Sequence, residues 1–266
     1  MADMILPNSA QLLSFRQRSP DRRLQPWVQC LWSLSGNQRG RYSTEKLYPD
    51  AGASLTISLE SPRPVITLCF NRRTLLETLD YPAPRLGVRF KAAGTYCLLG
   101  LSPEAFTDIY YELNTGSQPA EIAGLIPVVE QLYPLDAVQG INVLEAWLLR
   151  LLDRQPAIQS RLPLLTDTIS KLQLSPQQLG AQLGFTRRTL ERKLKREVGA
   201  SPGQLVAFAR LQHARHALIE TTQPLADIAL NCGYYDQAHF TRAFQSLALE
   251  TPNAYRQRKL SQIYKA

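Results

Sequence analysis

Histidine is scarce in this 266-residue chain, and its three histidines, His213, His216 and His239, all lie after residue 200. Residues 1–165 therefore lack the imidazole that usually acts as base beside a serine or cysteine nucleophile, and they lack the imidazole ligands of most catalytic metal sites. The chain also lacks the phosphate-binding motifs G-x-x-x-x-G-K-[ST] and G-x-G-x-x-G after a strand. We expect no enzymatic activity, no cofactor and no metal site.

Cysteine and long apolar runs are sparse as well. Cys30, Cys69, Cys97 and Cys232 include no C-x-x-C pair, which predicts buried, reduced thiols and leaves a redox role as the alternative. The N-terminus has no basic start followed by an apolar run and a cleavage site, and charged residues interrupt the apolar stretch 144–152. These features predict a cytoplasmic protein without a membrane partner.

Positive charge is concentrated in the last part of the chain. Residues 166–266 hold 14 lysines and arginines against 7 aspartates and glutamates, whereas residues 1–165 hold 16 against 15. A basic excess confined to one region is expected of a nucleic-acid-binding domain, although a solvated basic surface has the same composition.

The basic region contains two copies of one helical pattern. In the second copy, a short helix ends at Gly233, a turn follows, and Asp236 is placed to cap a new helix. Apolar residues at helical spacing predict the buried face of that helix: Phe240, Ala243, Phe244 and Leu247. The opposite face then presents polar side chains, so the segment is predicted to be a helix-turn-helix.

The first copy begins about fifty residues earlier. Ser175, Pro176 and Gln178 predict a capping box that opens a helix ending at Leu183, and Thr186 is placed to cap the next helix. A second capping box, 201–204, opens a connecting helix that continues to about Glu220. At about 1.5 Å per residue, this connector spans roughly 28 Å.

Together the two copies resemble the C-terminal DNA-binding domain of the AraC/XylS family of transcription regulators. The resemblance rests on segments 183–195, 199–202, 233–244 and 251–256. Two such patterns, each followed by Ser/Thr-Pro, are far more specific than one. Gln245 stands where the family usually has a basic residue, and Leu249 stands where it usually has a helix-ending glycine. Without that glycine, we expect this helix to fray or to run on.

The resemblance implies that the second helix of each copy enters the DNA major groove, on two successive turns of the duplex. The residues implied to read base edges are Arg188, Glu191, Arg192, Gln237 and Arg242. The residues implied to contact phosphate are Arg187, Lys195 and Thr241. Double-stranded DNA is thus the expected partner, and the resemblance leaves RNA polymerase and a second copy of the chain as further candidates.

The front half changes period near Gly94. Before it, residues 24–91 follow the period of two that is typical of strands, with candidates at 53–59, 63–70, 74–80 and 86–91. After it, helices are predicted over 103–113, opened by Ser102, and over 119–133 and 141–153. The apolar stripe from Leu144 to Leu151 fits either a dimer seam or a helix that covers the sheet.

Segments 47–53 and 86–94 resemble the β-rich front domain of one branch of the same family, which senses a small molecule, dimerises or does both. One interpretation is an effector pocket lined by large aromatic side chains: Trp27, Trp32, Tyr48, Phe90 and Tyr96. The alternative is a protein-interaction or dimerisation module without a ligand.

The expected fold class is α+β. A β-rich sensor or dimerisation domain with trailing helices is expected over 1–157, and a linker over 158–165. Two helix-turn-helix units joined by a linker helix are expected over 166–266.

Overall fold

The computed structural model confirms an α+β chain with a β-rich front part and a helical back part. None of the helices in the described ranges has the length and apolar character needed to cross a bilayer. The structure describes residues 15–34, 43–59, 64–79, 84–113, 124–132, 137–154, 158, 160, 162 and 176–263.

The strands of the described front part form two antiparallel sheets. One sheet has the order β1-β2-β7-β4-β5-β8, and the other pairs β3 with β6. The strands are β1 (Arg16–Arg18), β2 (Val28–Leu34), β3 (Ser43–Leu47), β4 (Ala53–Ser58), β5 (Val65–Phe70), β6 (Leu75–Leu79), β7 (Arg85–Phe90) and β8 (Tyr111–Glu112).

The alternation predicted for 53–59 is confirmed in β4. Leu55 and Ile57 are fully buried, and the register places Leu55 beside Leu68 of β5 and Val88 of β7. Because side chains alternate across a strand, this row of apolar residues on three strands defines the core face of the larger sheet.

The helices begin at the end of this sheet. They are α1 (Gly94–Leu99), a 3-10 turn (Pro103–Phe106), α2 (Ile126–Leu132), α3 (Ala137–Arg154), α4 (Pro176–Leu183), α5 (Arg187–Val198), α6 (Pro202–Glu220), α7 (Leu225–Asn231), α8 (Gln237–Ala248) and α9 (Pro252–Ile263).

The apolar stripe of α3 covers the sheet. Leu144, Trp147 and Leu148 are buried in the same core as the strand residues, and α3 contacts β2 and β7. Of the two interpretations of this stripe, packing within the chain is therefore the one observed, and these side chains are not available as a dimer seam.

The helix predicted over 103–113 is wrong. The chain makes only a 3-10 turn there, and β8 then pairs with the edge of β5. One backbone conformation and one contact explain the difference. Asp108 adopts a left-handed conformation with φ 56°, which interrupts a helix. Ser102, the expected cap, instead donates its hydroxyl proton to the carbonyl oxygen of Arg196 at 2.8 Å.

Other differences concern short elements. The predictions missed strand β1 and helix α1. They gave no separate boundaries for β2 and β3, which lie within the range 24–91 that was expected to be β-rich. The helix expected over 119–133 is described only as α2. Its first residues, the expected cap Ser175 and most of the linker 158–165 lie outside the described residues. The four cysteines are free and buried, as expected, and burial raises the pKa of Cys30 to about 11.

The core of the sheet continues into the first helix-turn-helix unit. Leu190, Leu194 and Val198 of α5 belong to the same buried cluster as the strand residues. At the end of α5, a Cβ on Gly199 would lie 2.8 Å from Cβ of Pro103 and 2.9 Å from the Phe70 ring. The front part and α5 therefore pack without room for a side chain at this position.

The second helix-turn-helix unit contacts the front part through charged and aromatic groups around Glu250. This carboxylate accepts hydrogen bonds from Lys46 at 2.8 Å and from Arg258 at 2.6 and 3.0 Å. Tyr48 lies beside them and accepts a hydrogen bond from Arg258 at 3.2 Å. We call these four residues the Glu250 cluster.

The charge of Glu250 is stabilised by this arrangement. Its side chain is only 12% exposed. Desolvation alone would raise its pKa, but the hydrogen bonds from Arg258 and Lys46 outweigh that effect and lower the pKa below its ordinary value of 4.5. A carboxyl whose folded pKa is lowered contributes stability above its unfolded pKa and loses it as the pH falls through the folded pKa.

Replacing Glu250 with glutamine should reduce the free energy of unfolding by about 1–3 kcal/mol at neutral pH, because Lys46 and Arg258 lose a charged acceptor and keep only a neutral one. The difference from wild type should narrow as the pH falls below about 4.5, because the Glu250 carboxyl of the unfolded chain takes up a proton there before the folded carboxyl, whose pKa is lower, does so. Urea unfolding of the full chain at pH values from neutral to below 4.5 measures this difference in stability. The exposed Glu130→Gln on α2 serves as the control. A difference that is constant with pH would contradict this assignment.

Candidate nucleic-acid interface

The first helix-turn-helix unit consists of α4 and α5. Thr186 caps α5, since its hydroxyl oxygen accepts a hydrogen bond from the Thr189 amide at 3.2 Å. At Gly180 a Cβ would lie 2.9 Å from the Phe185 carbonyl oxygen, so a small residue allows α4 to approach the turn closely. With its apolar face in the core, α5 leaves Arg188 and Arg192 exposed.

Several cations of α5 are held by carboxylates. Arg187 donates to Glu191 at 2.9 Å, and the two side chains are 78% and 46% exposed. Lys195 lies 3.2 Å from Glu104 of the 3-10 turn. Exposed pairs of this kind contribute little to stability, so a DNA phosphate can replace the carboxylate partner of either cation at low cost.

Glu197 binds two further cations of α5 in a buried setting. Its side chain is 2% exposed and accepts from Lys193, Arg196 and Ser160 at 3.2, 2.7 and 2.6 Å. Desolvation opposes its ionisation, yet these hydrogen bonds lower the pKa of Glu197. Lys193 and Arg196 therefore serve the packing of α5, a role that sequence reasoning missed because their spacing to Glu197 resembles an ordinary helix surface.

The second unit consists of α7 and α8 around an aromatic core. The Asp236 carboxylate caps α8 by accepting from the His239 amide at 2.6 Å. Phe240 and Phe244 are fully buried, and the Phe244 ring makes an edge contact with Tyr255 of α9 at 5.5 Å between centroids. The predicted cap and the predicted buried face of this helix are both confirmed.

The outer face of α8 is polar. Gln237, Arg242 and Gln245 are exposed, while the Thr241 hydroxyl donates to the Gln237 carbonyl oxygen at 2.8 Å. Sequence reasoning missed Tyr235, whose 86% exposure is the largest among the exposed apolar residues described. Its position directly before the helix cap Asp236 could have identified it, because residues at a helix N-terminus lie near phosphate in helix-turn-helix complexes.

The connecting helix α6 fixes the two units to each other. Its capping box at Ser201 and Gln204 is confirmed in both directions, with hydrogen bonds of 3.3 and 2.9 Å. At its other end, Arg256 of α9 donates to the Leu218 and Gln223 carbonyl oxygens at 3.1 and 2.8 Å. These bonds join α9, which follows the second unit, to the end of the connector.

The aromatic residues proposed for an effector pocket lie in different places. Tyr48 packs on Arg215 of α6, with the guanidinium 3.8 Å from the ring centroid. Phe90 is fully buried on the core face of the larger sheet. Trp32 pairs in register with Gly87, three residues from Phe90, and therefore lies on the opposite face. A ligand on one face of the sheet would contact only part of this set.

Tyr96 lies on α1 near the first helix-turn-helix unit, and Trp27 lies beside Gly94 at the start of α1. Both are partly buried against the main core, and the Arg196 guanidinium lies 5.4 Å from the Tyr96 ring centroid. Within the described residues, histidine, cysteine, aspartate and glutamate form no group of three suited to a metal ion.

Two family matches correspond to the two parts of the chain. A helix-turn-helix domain family matches residues 179–258, and a domain of unknown function, DUF6597, matches residues 16–112. The first match includes both helix-turn-helix units and the connector, and the second includes the strands of the larger sheet.

Individual relatives are similar in the back part. The HTH-type transcriptional activator RhaS of Klebsiella pneumoniae (strain 342) is 36% identical over 69 residues, 26% of this chain and 25% of its own length. RhaS of Escherichia coli (strain K12 / DH10B) is 36% identical over 76 residues, 29% of this chain and 27% of its own length. The chain thus spans about a quarter of the curated relatives that it matches.

Among solved structures, an AraC-type transcriptional regulator from Chromobacterium violaceum is 29% identical, covers 36% of this chain and 86% of its own, and has a TM-score of 0.33. Both of these curated relatives are named as transcriptional activators. With the two units and their connector in the arrangement described above, residues 179–258 form a helix-turn-helix domain of the type found in AraC/XylS transcription regulators.

Proposed function

We propose that this protein is a transcription regulator that binds a specific, non-palindromic DNA site with α5 and α8 in successive turns of the major groove. The observation that supports this most directly is the exposed polar face of each helix, opposite a fully buried apolar face. A 19-residue connector spans about 28 Å, near the roughly 34 Å of one duplex turn.

The roles of individual residues follow from exposure and chemistry. Arg188, Arg192 and Arg242 are exposed, and an arginine fork suits the two acceptors on a guanine edge. Gln237 has the amide that suits adenine. Glu191 is a candidate to accept a hydrogen bond from cytosine once Arg187 has left it to bind a phosphate.

Phosphate contacts come from side chains at the margins of the same faces. Lys195 and Arg187 supply charge, Thr241 supplies a hydroxyl, and we add Tyr235 at the N-terminus of α8. Because the RhaS relatives are named transcriptional activators, we extend activation, and with it contact to RNA polymerase, to this chain.

Selection of duplexes from a random library by the full-length chain tests the central proposal. The enriched sequences should contain two unlike half-sites whose centres are about 10 base pairs apart. Transcription by purified RNA polymerase from a promoter that carries the selected site then tests activation. Failure to enrich any duplex sequence would contradict specific DNA binding, and repression would contradict the activator role alone.

We further propose that the front domain binds a small-molecule effector on the sheet face that carries Trp32. Arg89, on the same face, is 5% exposed and donates to Ser54 at 2.9 Å and to Asp50. Among the described residues, the indole N–H of Trp32 and Nε of Arg89 have no hydrogen-bond partner. Buried donors of this kind favour a ligand with acceptor atoms.

The alternative front-domain function is protein interaction. Leu76, Ile109, Tyr110 and Tyr111 are 42–60% exposed, and the Tyr110 hydroxyl donates to Glu77 at 3.3 Å, which brings β6 beside the edge strand β8. Native mass spectrometry of the protein as isolated separates the two. A bound small molecule that Trp32→Phe removes supports the effector. A bound protein that Tyr111→Ser removes supports the interaction module.

Lys195→Ala should lower the slope of log K against log salt by about one, and it should weaken specific and non-specific duplexes alike, because one phosphate contact is lost. Glu104→Gln is the matched variant. It removes the carboxylate 3.2 Å from Lys195 but keeps the cation, so affinity should stay equal or rise. Salt titrations by fluorescence anisotropy measure both. An unchanged slope for Lys195→Ala would show that this lysine does not contact phosphate.

Arg192→Ala should instead change specificity. If its guanidinium pairs with a guanine, its loss should cost about 1–3 kcal/mol on the selected site and relax the preference at one base pair. Repeating the duplex selection with the variant gives the result, and Lys195→Ala provides the comparison for a non-specific loss. A preference identical to that of wild type would rule out base reading by Arg192.

Arg242→Ala should shorten the footprint by about one helical turn, because α8 has no other cation between residues 237 and 248 and loses its main hold on DNA. Gln245→Lys adds charge on the same face, where the family is usually basic, and should restore part of the footprint in the Arg242→Ala background. Hydroxyl-radical footprinting resolves the two half-sites. A full-length footprint for Arg242→Ala would contradict this role.

A further inference from the structure

The last turn of α8 is capped by side chains of the front domain. Nζ of Lys46 on β3 donates to the Ala248 and Leu249 carbonyl oxygens at 2.9 and 3.4 Å. The hydroxyl of Thr74, directly before β6, donates to the Leu247 carbonyl oxygen. The last carbonyls of a helix accept no hydrogen bond from its own backbone amides. Here Lys46 and Thr74 donate to three consecutive carbonyl oxygens at the end of α8.

Leu249 makes this capping necessary. The sequence predicted that this helix would fray or run on, but it does neither. It stops because Leu249 adopts the left-handed conformation, with φ 58° and its amide donating to the Gln245 carbonyl oxygen at 2.9 Å. That conformation is unfavourable for any residue with a Cβ. Burial of the leucine does not compensate, since its side chain is 50% exposed.

The α5 helix shows the contrast within the same molecule. It ends at Gly199, with φ 79° and an amide that donates to Leu194 and Lys195. Glycine adopts this conformation without steric cost, so α5 supplies its own cap, although Ser102 also donates to its Arg196 carbonyl oxygen. The α8 helix has no glycine, and it receives a charged donor where the helix dipole most favours a cation.

Lys46 is itself held in place. It pairs in register with Leu76 of β6, its side chain is 21% exposed, and Glu250 lies 2.8 Å from its ammonium. Lys46 lies in the two-stranded sheet and Thr74 directly precedes one of its strands, so any displacement of that sheet would move both donors together relative to the end of α8.

We propose that Lys46 and Thr74 are positioning residues for DNA reading by α8, and that they supply the helix cap that Leu249 cannot supply. This inference rests on the proposed function of α8. Its consequence is that the two half-sites depend differently on the front domain: the half-site read by α8 requires the two-stranded sheet, whereas the half-site read by α5 does not require it.

Hydrogen exchange of the full-length chain without DNA tests the cap. In the double variant Lys46→Met/Thr74→Val, the amides of residues 245–250 should exchange about tenfold faster, because charged and neutral donors to the helix end are lost. The amides of 194–199 should not change. The same pair of substitutions in a Leu249→Gly background should have a severalfold smaller effect, and Lys91→Met, elsewhere on the front domain, should have none.

Footprinting then tests positioning, with a duplex selected by the wild-type chain. The double variant should lose protection of the α8 half-site and keep that of the α5 half-site, and Leu249→Gly should restore the lost protection. The proposal would be overturned if the substitutions left the exchange rates of the 245–250 amides unchanged. It would also be overturned if those amides exchanged faster while the footprint stayed complete. A wild-type chain that selects no duplex would instead refute DNA reading itself, whatever the exchange result.

Discussion

One carboxylate, that of Glu250, joins three parts of the molecule. It binds Lys46 of the two-stranded sheet and Arg258 of α9, and it follows directly on the end of α8. Removing this carboxylate from water costs free energy, and that cost is offset only while both cations remain within hydrogen-bond distance of it. The position of the second helix-turn-helix unit on the front part is therefore specified in part by charge geometry, which permits few alternative arrangements, together with the packing of Tyr48 against the core of that unit.

The two helix-turn-helix units divide their charges in opposite ways. Helix α5 carries many cations, but Glu104, Glu191 and Glu197 engage several of them within the chain. Its positive field is thus weaker than its composition implies, and α5 meets the front part through close apolar packing. Helix α8 carries one cation on its outer face and has an aromatic core, and charged groups hold it to the front part. Strength of DNA attraction and strength of internal attachment are consequently separate properties in each unit.

The back part was largely predictable because its signals are local. Caps at Thr186, Ser201 and Asp236 depend on residues three positions apart, and the buried faces depend on helical spacing, so both were found correctly. The failures involve contacts between distant residues. Ser102 looked like a cap but bonds to Arg196, and Leu249 looked like a weak helix end but is supported by Lys46, about two hundred residues away. Strands β1 to β3 lack strict alternation of apolar and polar residues, so their pairing with other strands identifies them, not their own pattern. For the candidate interface, sequence identified the exposed faces of α5 and α8, but it did not identify which cations are internally bound, nor the exposed Tyr235.

Gly199 carries a consequence for how such regulators diversify. Its neighbours Phe70 and Pro103 come from the front part and leave no space for even a methyl group. A larger side chain at this contact would therefore require the front or the back part to move. A back part exchanged between relatives would fit this front part only if it brought a small residue to the same point. The two halves of this protein must therefore change in concert during evolution, and a chimaera that joins it to a relative requires a junction that keeps Phe70, Pro103 and Gly199 as a set.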